Sequence, residues 1–219
     1  MKTHDLIQGT PAWLAYRTSH FNASDAPAML GCSPYKTRAQ LLREMHTGVP
    51  AEVDAGTQMR FNNGHRAEAL ARPLAEEIVG EDLFPVVGSE GSLSASFDGL
   101  TLLEDTGFEH KALNAKNWSK IKKHGVKEAS PVYYAQMQVY SAYMELPAFV
   151  FTATNKNTQE LNHELVPYVP AEAQKQSDKA VTVIRAVEAG ELLPRCTDND
   201  EYWICKWCDW RFRCWNGDV

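Results

Sequence analysis

The sequence lacks a long apolar run. No segment of the 219-residue chain approaches the roughly 20 consecutive apolar residues that a membrane-spanning helix needs. The first residues, MKTHDLIQGTPAW, also lack the apolar stretch of a signal peptide. Hydrophobic residues make up 44% of the chain, which is enough to build one core at this length. We therefore expect a soluble, cytoplasmic protein with a single main domain.

The chain also lacks an excess of positive charge. It has 22 Lys and Arg against 28 Asp and Glu, for a formal net charge of −6. Any contact with nucleic acid must therefore come from a local basic patch. Residues 111–127 offer one candidate, which contains Trp118 and the lysines Lys116, Lys120, Lys122 and Lys123. This segment is either a DNA-backbone contact or an ordinary solvated helix face.

Cysteine is scarce but unevenly distributed. Three of the five cysteines lie in the last fifteen residues, as Cys205-x-x-Cys208 and then Cys214. Three thiolates this close in sequence are typical of a soft-metal site, which needs a fourth ligand. That ligand is either Cys196, which is near in sequence, or Cys32, which the fold would have to bring back. We predict a main domain at residues 1–195 and a cysteine-rich, metal-binding tail at 196–219 packed against it.

The pattern of apolar residues predicts a mixed α/β fold. Helical patterns cover residues 23–47, which the GCSPYKT turn interrupts, and then 60–79, 131–145 and 170–189. In the second of these, Leu70, Leu74 and Ile78 recur on one helix face. Residues 83–111 consist of short runs with glycine-containing turns, which favours an antiparallel meander. Further strands are predicted at 149–154 and 159–166.

One motif combines acidic residues with a lysine and indicates a catalytic site. Asp98 is followed by Glu109-x-Lys111, and on a strand Glu109 and Lys111 point to one face while His110 points to the other. Converging carboxylates repel one another unless a hard cation such as Mg²⁺ neutralises them. The ion would activate water and polarise a phosphate, and the lysine would position the nucleophile. The competing interpretation is an ordinary surface salt bridge.

The order of these residues resembles the PD-(D/E)XK nuclease superfamily. Glu68 lies on a predicted helix, Asp98 ends a strand, Glu109-x-Lys111 lies on the next strand, and Gln136-x-x-x-Tyr140 follows on a helix. The resemblance implies a restriction-endonuclease-like α/β core, a central mixed sheet flanked by helices. It implies Mg²⁺ or Mn²⁺ as the cofactor. The implied roles are metal ligation by Glu68, Asp98 and Glu109, water activation by Lys111, and contact with the site by Gln136 or Gln138.

The N-terminal part resembles the lambda-type (YqaJ-like) viral recombination exonucleases. The shared features are Trp13-x-x-x-Arg17, then Ser24, the LGCSPYKT turn and Gly64-x-x-x-Glu68. In that family the residues matching Arg17 and Ser24 hold the terminal 5′-phosphate, a task that suits a guanidinium and a hydroxyl. The family pattern also has a glycine and a threonine where this chain has Ser19 and Asn22.

This resemblance implies a function. We expect a Mg²⁺-dependent exonuclease of phage or prophage origin that degrades one strand of linear duplex DNA, 5′ to 3′, for recombination by single-strand annealing. It also implies a ring-shaped homotrimer, DNA ends as the substrate, a single-strand annealing protein as a partner, and no membrane association.

The cysteine tail resembles iron-sulfur nucleases of the Cas4 and AddB type. In those proteins an isolated upstream cysteine completes a [4Fe-4S] cluster, which favours Cys32 over Cys196 here; zinc is the alternative metal. The same resemblance leaves open a Cas4-like nuclease of other polarity. Two non-catalytic alternatives are a DNA-binding module and a zinc-finger-like interaction protein. The presence of Asp98, Glu109 and Lys111 together argues against both.

Overall fold

The computed structural model describes residues 2–25, 28, 33, 36–47, 54–90, 93–101, 103, 105–191, 193–208 and 211–216. The strands are β1 (Lys2–His4), β2 (Phe21–Asn22), β3 (Leu83–Glu90), β4 (Leu93–Thr101), β5 (Thr106–Leu113), β6 (Ala148–Asn155) and β7 (Leu161–Pro167). The helices are α1 (Pro11–Thr18), α2 (Arg38–Thr47), α3 (Ala55–Val79), α4 (Ala115–Ala129), α5 (Pro131–Met144), α6 (Pro170–Ala189) and α7 (Arg211–Asn216). Within these ranges every helix is too short or too polar to cross a membrane.

A single mixed sheet organises the chain. Its strand order is β1-β3-β4-β5-β6-β7, and the short β2 pairs with the start of β4. The predicted meander is confirmed, because β3, β4 and β5 run antiparallel. Strands β5 and β6 are parallel, so the chain must cross over between them, and helices α4 and α5 form that connection. The predicted α/β class with a helix-flanked mixed sheet is therefore confirmed.

The core lies between the centre of the sheet and α5. Phe108 on β5 and Phe149 and Phe151 on β6 are fully buried. Met137 and Tyr140 on α5 are buried in the same cluster as the two β6 phenylalanines. Continuous burial of this kind is expected for parallel strands at the centre of a sheet. The core therefore holds β5 rigidly, and β5 is the strand that carries Glu109 and Lys111.

Helix α3 confirms the predicted helix at 60–79, but its leucine stripe is not the face that packs against the rest of the protein. The helix begins earlier than predicted, at Ala55, where the side chain of Asp54 accepts a hydrogen bond from the Thr57 amide. Leu70 and Leu74 are 74% and 47% exposed. The buried residues are instead the small Ala71 and Ala75, which allow the helix to approach the sheet closely.

The sequence does not specify helix α4, because it leaves residues 111–127 as either a DNA-backbone contact or a solvated helix face. The helix is interrupted at Gly125, whose φ of 74° belongs to the left-handed region. After this kink, the Val126 amide donates to Glu164 Oε2 on β7 at 2.8 Å. A distant carboxylate thus satisfies the amide that the kink frees from the helix. No local pattern shows such a contact.

Strands β5 and β6 approach each other closely at Gly107. A Cβ added at Gly107 on β5 would overlap the ring of Phe149 on β6. Gly107→Ala should therefore lower the free energy of unfolding by about 1–3 kcal/mol, the usual cost of overpacking a core. Gly64→Ala, where an added Cβ meets nothing within 4 Å, should raise it by about 0.5–1 kcal/mol because alanine favours helix. Urea denaturation measures both, and equal midpoints would contradict this packing.

Candidate active site

The candidate site lies where β4 and β5 separate. Among the described residues, the register between them contains the pairs Gly99–Phe108 and Leu100–Gly107 and does not continue to Asp98 and Glu109, so the strands separate at that point. On its other side β4 has a bulge, because three steps along β4 from Phe97 oppose two steps along β3. Bulges redirect side chains and are frequent beside active sites. The bulge therefore places Asp98 at the opening between the two strands.

Asp98 is held in this opening by the main chain of β5. Its Oδ2 accepts a hydrogen bond from the His110 amide at 2.8 Å, so one carboxylate oxygen is fixed. The His110 ring is buried and its Nδ1 lies 2.8 Å from Thr152 Oγ1. Burial, together with the charge of Lys111, lowers the pKa of His110 to about 4. His110 is thus a neutral core residue at physiological pH.

Glu109 is the most deeply buried acid of the site, with 1% of its surface exposed. Burial raises the pKa of Glu109 to about 7; the Lys111 ammonium opposes this shift, while the charges of Asp98 and Glu68 add to it. Lys111 Nζ donates to Glu109 Oε1, and Gln136 Nε2 donates to the same oxygen at 3.1 Å. Glu109 Oε2 is buried and makes no hydrogen bond within the described part of the chain.

Lys111 remains charged in this environment. Burial disfavours its ammonium, but the carboxylates of Glu109 and Asp98 outweigh burial and raise the pKa of Lys111. Its Nζ also lies 5.4 Å from the centre of the Tyr133 ring, a distance at which a cation is attracted to an aromatic face. The site therefore contains a fixed positive charge beside its two central carboxylates.

Glu68 approaches the same opening from α3. Burial and the charge of Asp98 raise the pKa of Glu68, so these two carboxylates are close enough to interact. However, Arg72 Nη2 donates to Glu68 Oε1 at 2.6 Å. His65, on the exposed side, lies 3.6 Å from its other oxygen. In this arrangement Glu68 is paired with Arg72 rather than directed at Glu109.

The donor set fits a hard divalent cation, although the ligands are not fully gathered. Among the residues described, no three His, Cys, Asp or Glu side chains are close enough together to hold a metal ion. The unpartnered, buried Oε2 of Glu109 and the mutual repulsion of three carboxylates are both features that a cation would relieve. Asp98 and Glu109 would supply the oxygens, and Glu68 would join them by leaving Arg72.

The structure separates the two candidate glutamines on α5. Gln136 contacts Glu109 Oε1 and donates to Tyr140 Oη at 3.2 Å. Gln138 is instead fully buried: its Nε2 donates to the Pro167 carbonyl at 3.0 Å and its Oε1 accepts from the Val169 amide at 2.7 Å. Residues two apart on a helix point about 200° apart, so both cannot reach the carboxylates. Gln136 lies at the site, and Gln138 holds the loop before α6.

The structure also brings Arg17 and Ser24 together. Arg17 Nη2 donates to Ser24 Oγ at 2.8 Å, and the guanidinium lies 5.2 Å from the centre of the Trp13 ring. Thr10 caps the N-terminus of α1, and Pro11 occupies its first turn. Arg17 lies close enough to Tyr140 to affect its pKa. Burial raises the pKa of Tyr140, and the positive charge of Arg17 partly opposes that shift.

Sequence reasoning missed the residues that support this pair. Asn22, which stands where the family pattern has a threonine, donates through Nδ2 to the Arg17 carbonyl at 3.1 Å and to Asp25 at 3.2 Å. Lys36 donates to Asp25 at 3.1 Å and to Glu44 at 2.7 Å. These partners are several residues apart, so no local pattern indicates them. The departure from the family pattern at Asn22 was the available signal.

The lysines that follow β5 in the sequence lie on α4. Lys116, Lys120 and Lys123 are exposed, and Lys122 Nζ lies 4.7 Å from the centre of the Trp118 ring. Trp118 is anchored in the core, since its Nε1 donates to the Ala153 carbonyl at 2.9 Å. The helix therefore presents a row of cations to solvent.

The described tail cysteines are not gathered into a metal site. Cys205 is buried, Cys208 and Cys214 are half-buried, and Cys196 is exposed. The Cys205 thiol donates to the Asn199 carbonyl at 3.9 Å, and the described residues include no group of metal-binding side chains. Cys32 lies outside the described residues. The Cas4/AddB-like [4Fe-4S] or zinc site, and the boundary at residue 195, therefore remain predictions.

Both the sequence and the fold of this chain are similar to those of known proteins. Residues 12–146 match the family of YqaJ-like viral recombinase domains. The fold is similar to that of an alkaline exonuclease (LHK-Exo) from Laribacter hongkongensis, at 20% identity, 83% coverage of this chain, 94% of that chain and a TM-score of 0.65. The same exonuclease in complex with dAMP matches at 19% identity, the same coverages and a TM-score of 0.64.

A second exonuclease has a similar fold. A phage-related exonuclease from Haemophilus somnus 129PT matches at 12% identity, 78% coverage of this chain, 94% of that chain and a TM-score of 0.60. No curated protein sequence matches the chain significantly.

The two glutamines on α5 should differ in their effect on stability. Gln138→Ala removes a fully buried side chain together with its hydrogen bonds to the Pro167 carbonyl and the Val169 amide, so it should lower the free energy of unfolding by about 2–4 kcal/mol. Gln136→Ala, on a half-buried side chain, should lower it by less than about 1 kcal/mol. Thermal and urea unfolding of both variants measure the difference. Equal losses would contradict this assignment.

Proposed function

Because the chain belongs to the family of YqaJ-like viral recombinase domains, we propose that it is a metal-dependent deoxyribonuclease that degrades one strand of linear duplex DNA from its 5′ end. The observation that carries this proposal is the buried Glu109 beside Lys111 and Asp98, at the point where β4 and β5 separate. A solvated surface ion pair would not require such burial. A phosphodiester hydrolase needs carboxylate oxygens beside a cation that is positioned to act on phosphate.

Each residue of the site has a distinct task in this proposal. A divalent cation on Asp98 and Glu109 would supply an activated water and polarise the phosphate. Lys111, held charged by the carboxylates, orients the attacking water or donates to a phosphate oxygen. Gln136 fixes the rotamer of Glu109 through Oε1 and leaves Oε2 for the metal. The His110 amide fixes Asp98 in the same way.

The proposed 5′ polarity depends on Arg17 and Ser24. A guanidinium and a hydroxyl placed 2.8 Å apart can both donate to the oxygens of a terminal phosphate, and the charged donor makes such bonds strong. LHK-Exo, which has a similar fold, has been solved in complex with dAMP, a deoxynucleoside monophosphate, and this supports binding of a nucleotide phosphate here. The lysines of α4 would hold the DNA backbone beside the site.

The proposal includes the assembly and role that the family resemblance implies. We infer a homotrimer around DNA and recombination by annealing, together with a single-strand annealing protein. Met59, Leu70 and Leu74, which recur on the outer side of α3, are 64%, 74% and 47% exposed. An exposed apolar stripe of this kind supports contact with another subunit. The annealing role rests on the family resemblance, whereas the proposed metal requirement and polarity also rest on the residues of the site.

Digestion of a linear duplex with a 5′-phosphate and a separate label on each strand tests the activity. We expect the 5′-phosphorylated strand to disappear with Mg²⁺ and to persist with EDTA. Glu109→Gln and Lys111→Met should each reduce the rate about 1000-fold, since each removes a charge from the reaction centre. Glu160→Gln, an exposed glutamate in the turn between β6 and β7, is the matched control and should retain the full rate.

Other outcomes of the same assay point to the alternatives. Loss of the strand from its 3′ end, or internal nicks, would favour a nuclease of the Cas4 type. Binding of the duplex without cutting under Mg²⁺ or Mn²⁺ would favour a non-catalytic DNA-binding module. Either outcome would contradict the proposal that the protein degrades one strand from its 5′ end.

Arg17 should control the preference for a phosphorylated end. Arg17→Met is expected to reduce the ratio of rates on 5′-phosphate and 5′-hydroxyl ends about 10- to 100-fold, the range expected for a hydrogen bond to a charged group. Its rate on the 5′-hydroxyl end should change little. Arg185→Met, an exposed arginine on α6, serves as the control for lost charge. An unchanged ratio in Arg17→Met would remove Arg17 from the phosphate site.

A further inference from the structure

Two serines on β4 anchor the N-terminal segment that carries Arg17 and Ser24. Ser94 and Ser96 alternate with the core residues Ala95 and Phe97, so they share the opposite face of the strand. Ser94 Oγ donates to Asn22 Oδ1 at 2.7 Å. Ser96 Oγ accepts from Trp13 Nε1 at 2.9 Å. The carboxylate Asp98 follows on the same strand.

These two hydrogen bonds support the Arg17–Ser24 pair. Asn22 Nδ2 donates to the Arg17 carbonyl at 3.1 Å, and Asn22 lies two residues before Ser24. The Trp13 ring lies against the Arg17 guanidinium, 5.2 Å from its centre. Ser94 thus positions the backbone next to Ser24 and Arg17, whereas Ser96 positions the aromatic surface under the guanidinium.

Hydrogen bonds matter here because core packing does not fix α1. None of the residues of this helix is fully buried. Ser96 is also tied to the reaction centre, since its carbonyl accepts from Tyr140 Oη at 3.2 Å. Tyr140 in turn accepts from Gln136, which contacts Glu109. A continuous set of hydrogen bonds therefore connects Trp13 with the buried carboxylate.

We infer that Ser94 and Ser96 are positioning residues that hold the Arg17–Ser24 pair in a constant place relative to Asp98, and thereby keep each cut at the same distance from the strand end. A strand rises about 3.4 Å per residue, so the two serines lie about 14 Å and about 7 Å along β4 from Asp98. Because one strand carries both serines and Asp98, the Arg17–Ser24 pair and the carboxylate keep a constant separation. A constant separation would give products of one length.

This inference rests on the proposed 5′-phosphate recognition, and its test separates the two. The substrate is a linear duplex with a 5′-phosphate or a 5′-hydroxyl, and the products are sized by mass spectrometry. Wild-type protein should release one product length and prefer the phosphate. Ser96→Ala should release products of several lengths and lower the phosphate preference about five- to tenfold, as expected for one lost hydrogen bond. Ser96→Thr, which keeps the hydroxyl, should restore both properties.

Matched variants separate positioning from general stability. Ser89 on β3 lies beside Ser94 in the sheet and also bonds the N-terminal segment, with its Oγ 2.8 Å from His4 Nε2. Ser89→Ala should leave product length and phosphate preference unchanged. Trp13→Phe, which keeps a ring but loses the indole N–H, should reproduce the effect of Ser96→Ala and replaces it if that variant fails to fold.

The outcomes are distinguishable. If wild-type protein prefers the phosphate, but Ser96→Ala and Trp13→Phe become slower with a constant product length and an unchanged preference, the serines are merely structural and the inference is wrong. If wild-type protein shows no preference for a 5′-phosphate, the proposed function fails first, and the inference falls with it.

Discussion

The site depends on keeping the negative charge of Glu109 buried beside the positive charge of Lys111. A carboxylate removed from water loses hydration, and the proximity of Asp98 and Glu68 adds repulsion. Lys111 compensates for only part of this cost, which is why Glu109 retains a raised pKa and an unpartnered oxygen. The core tolerates such a group because the packed β5 and β6 strands leave the backbone no freedom to expose it.

The separation of β4 from β5 leaves an opening beside this buried charge. In a fully paired antiparallel ladder, side chains stand roughly perpendicular to the sheet and the backbone groups of both strands bond each other. Instead, the register ends at Gly99 and Phe108, and the bulge in β4 redirects Asp98. Helix α5 then closes one side through Gln136, and α3 closes the other through Glu68. The chemistry is therefore located at an irregularity of the sheet, which is where backbone geometry can bring acids from two strands together.

Polar contacts with the sheet, rather than hydrophobic packing, position the N-terminal segment. Helix α1 has no fully buried residue, so Trp13, Asn22 and their serine partners on β4 define where it lies. Hydrogen bonds are directional, and they specify a position more narrowly than apolar contact does. Under the proposed function, a segment that binds the end of a DNA strand needs such a defined position relative to the carboxylates.

The sequence by itself determined the α/β class, most of the helices and strands after residue 60, and the family, because periodicity and short motifs are local properties. The motif also put Glu109 and Lys111 on one face of a strand. Tertiary structure decided what local patterns do not contain: that Gln136 rather than Gln138 contacts Glu109, that the leucine stripe of α3 is exposed, and that Glu68 is paired with Arg72. Each depends on which distant surface an element packs against, and that surface exists only after the chain has folded.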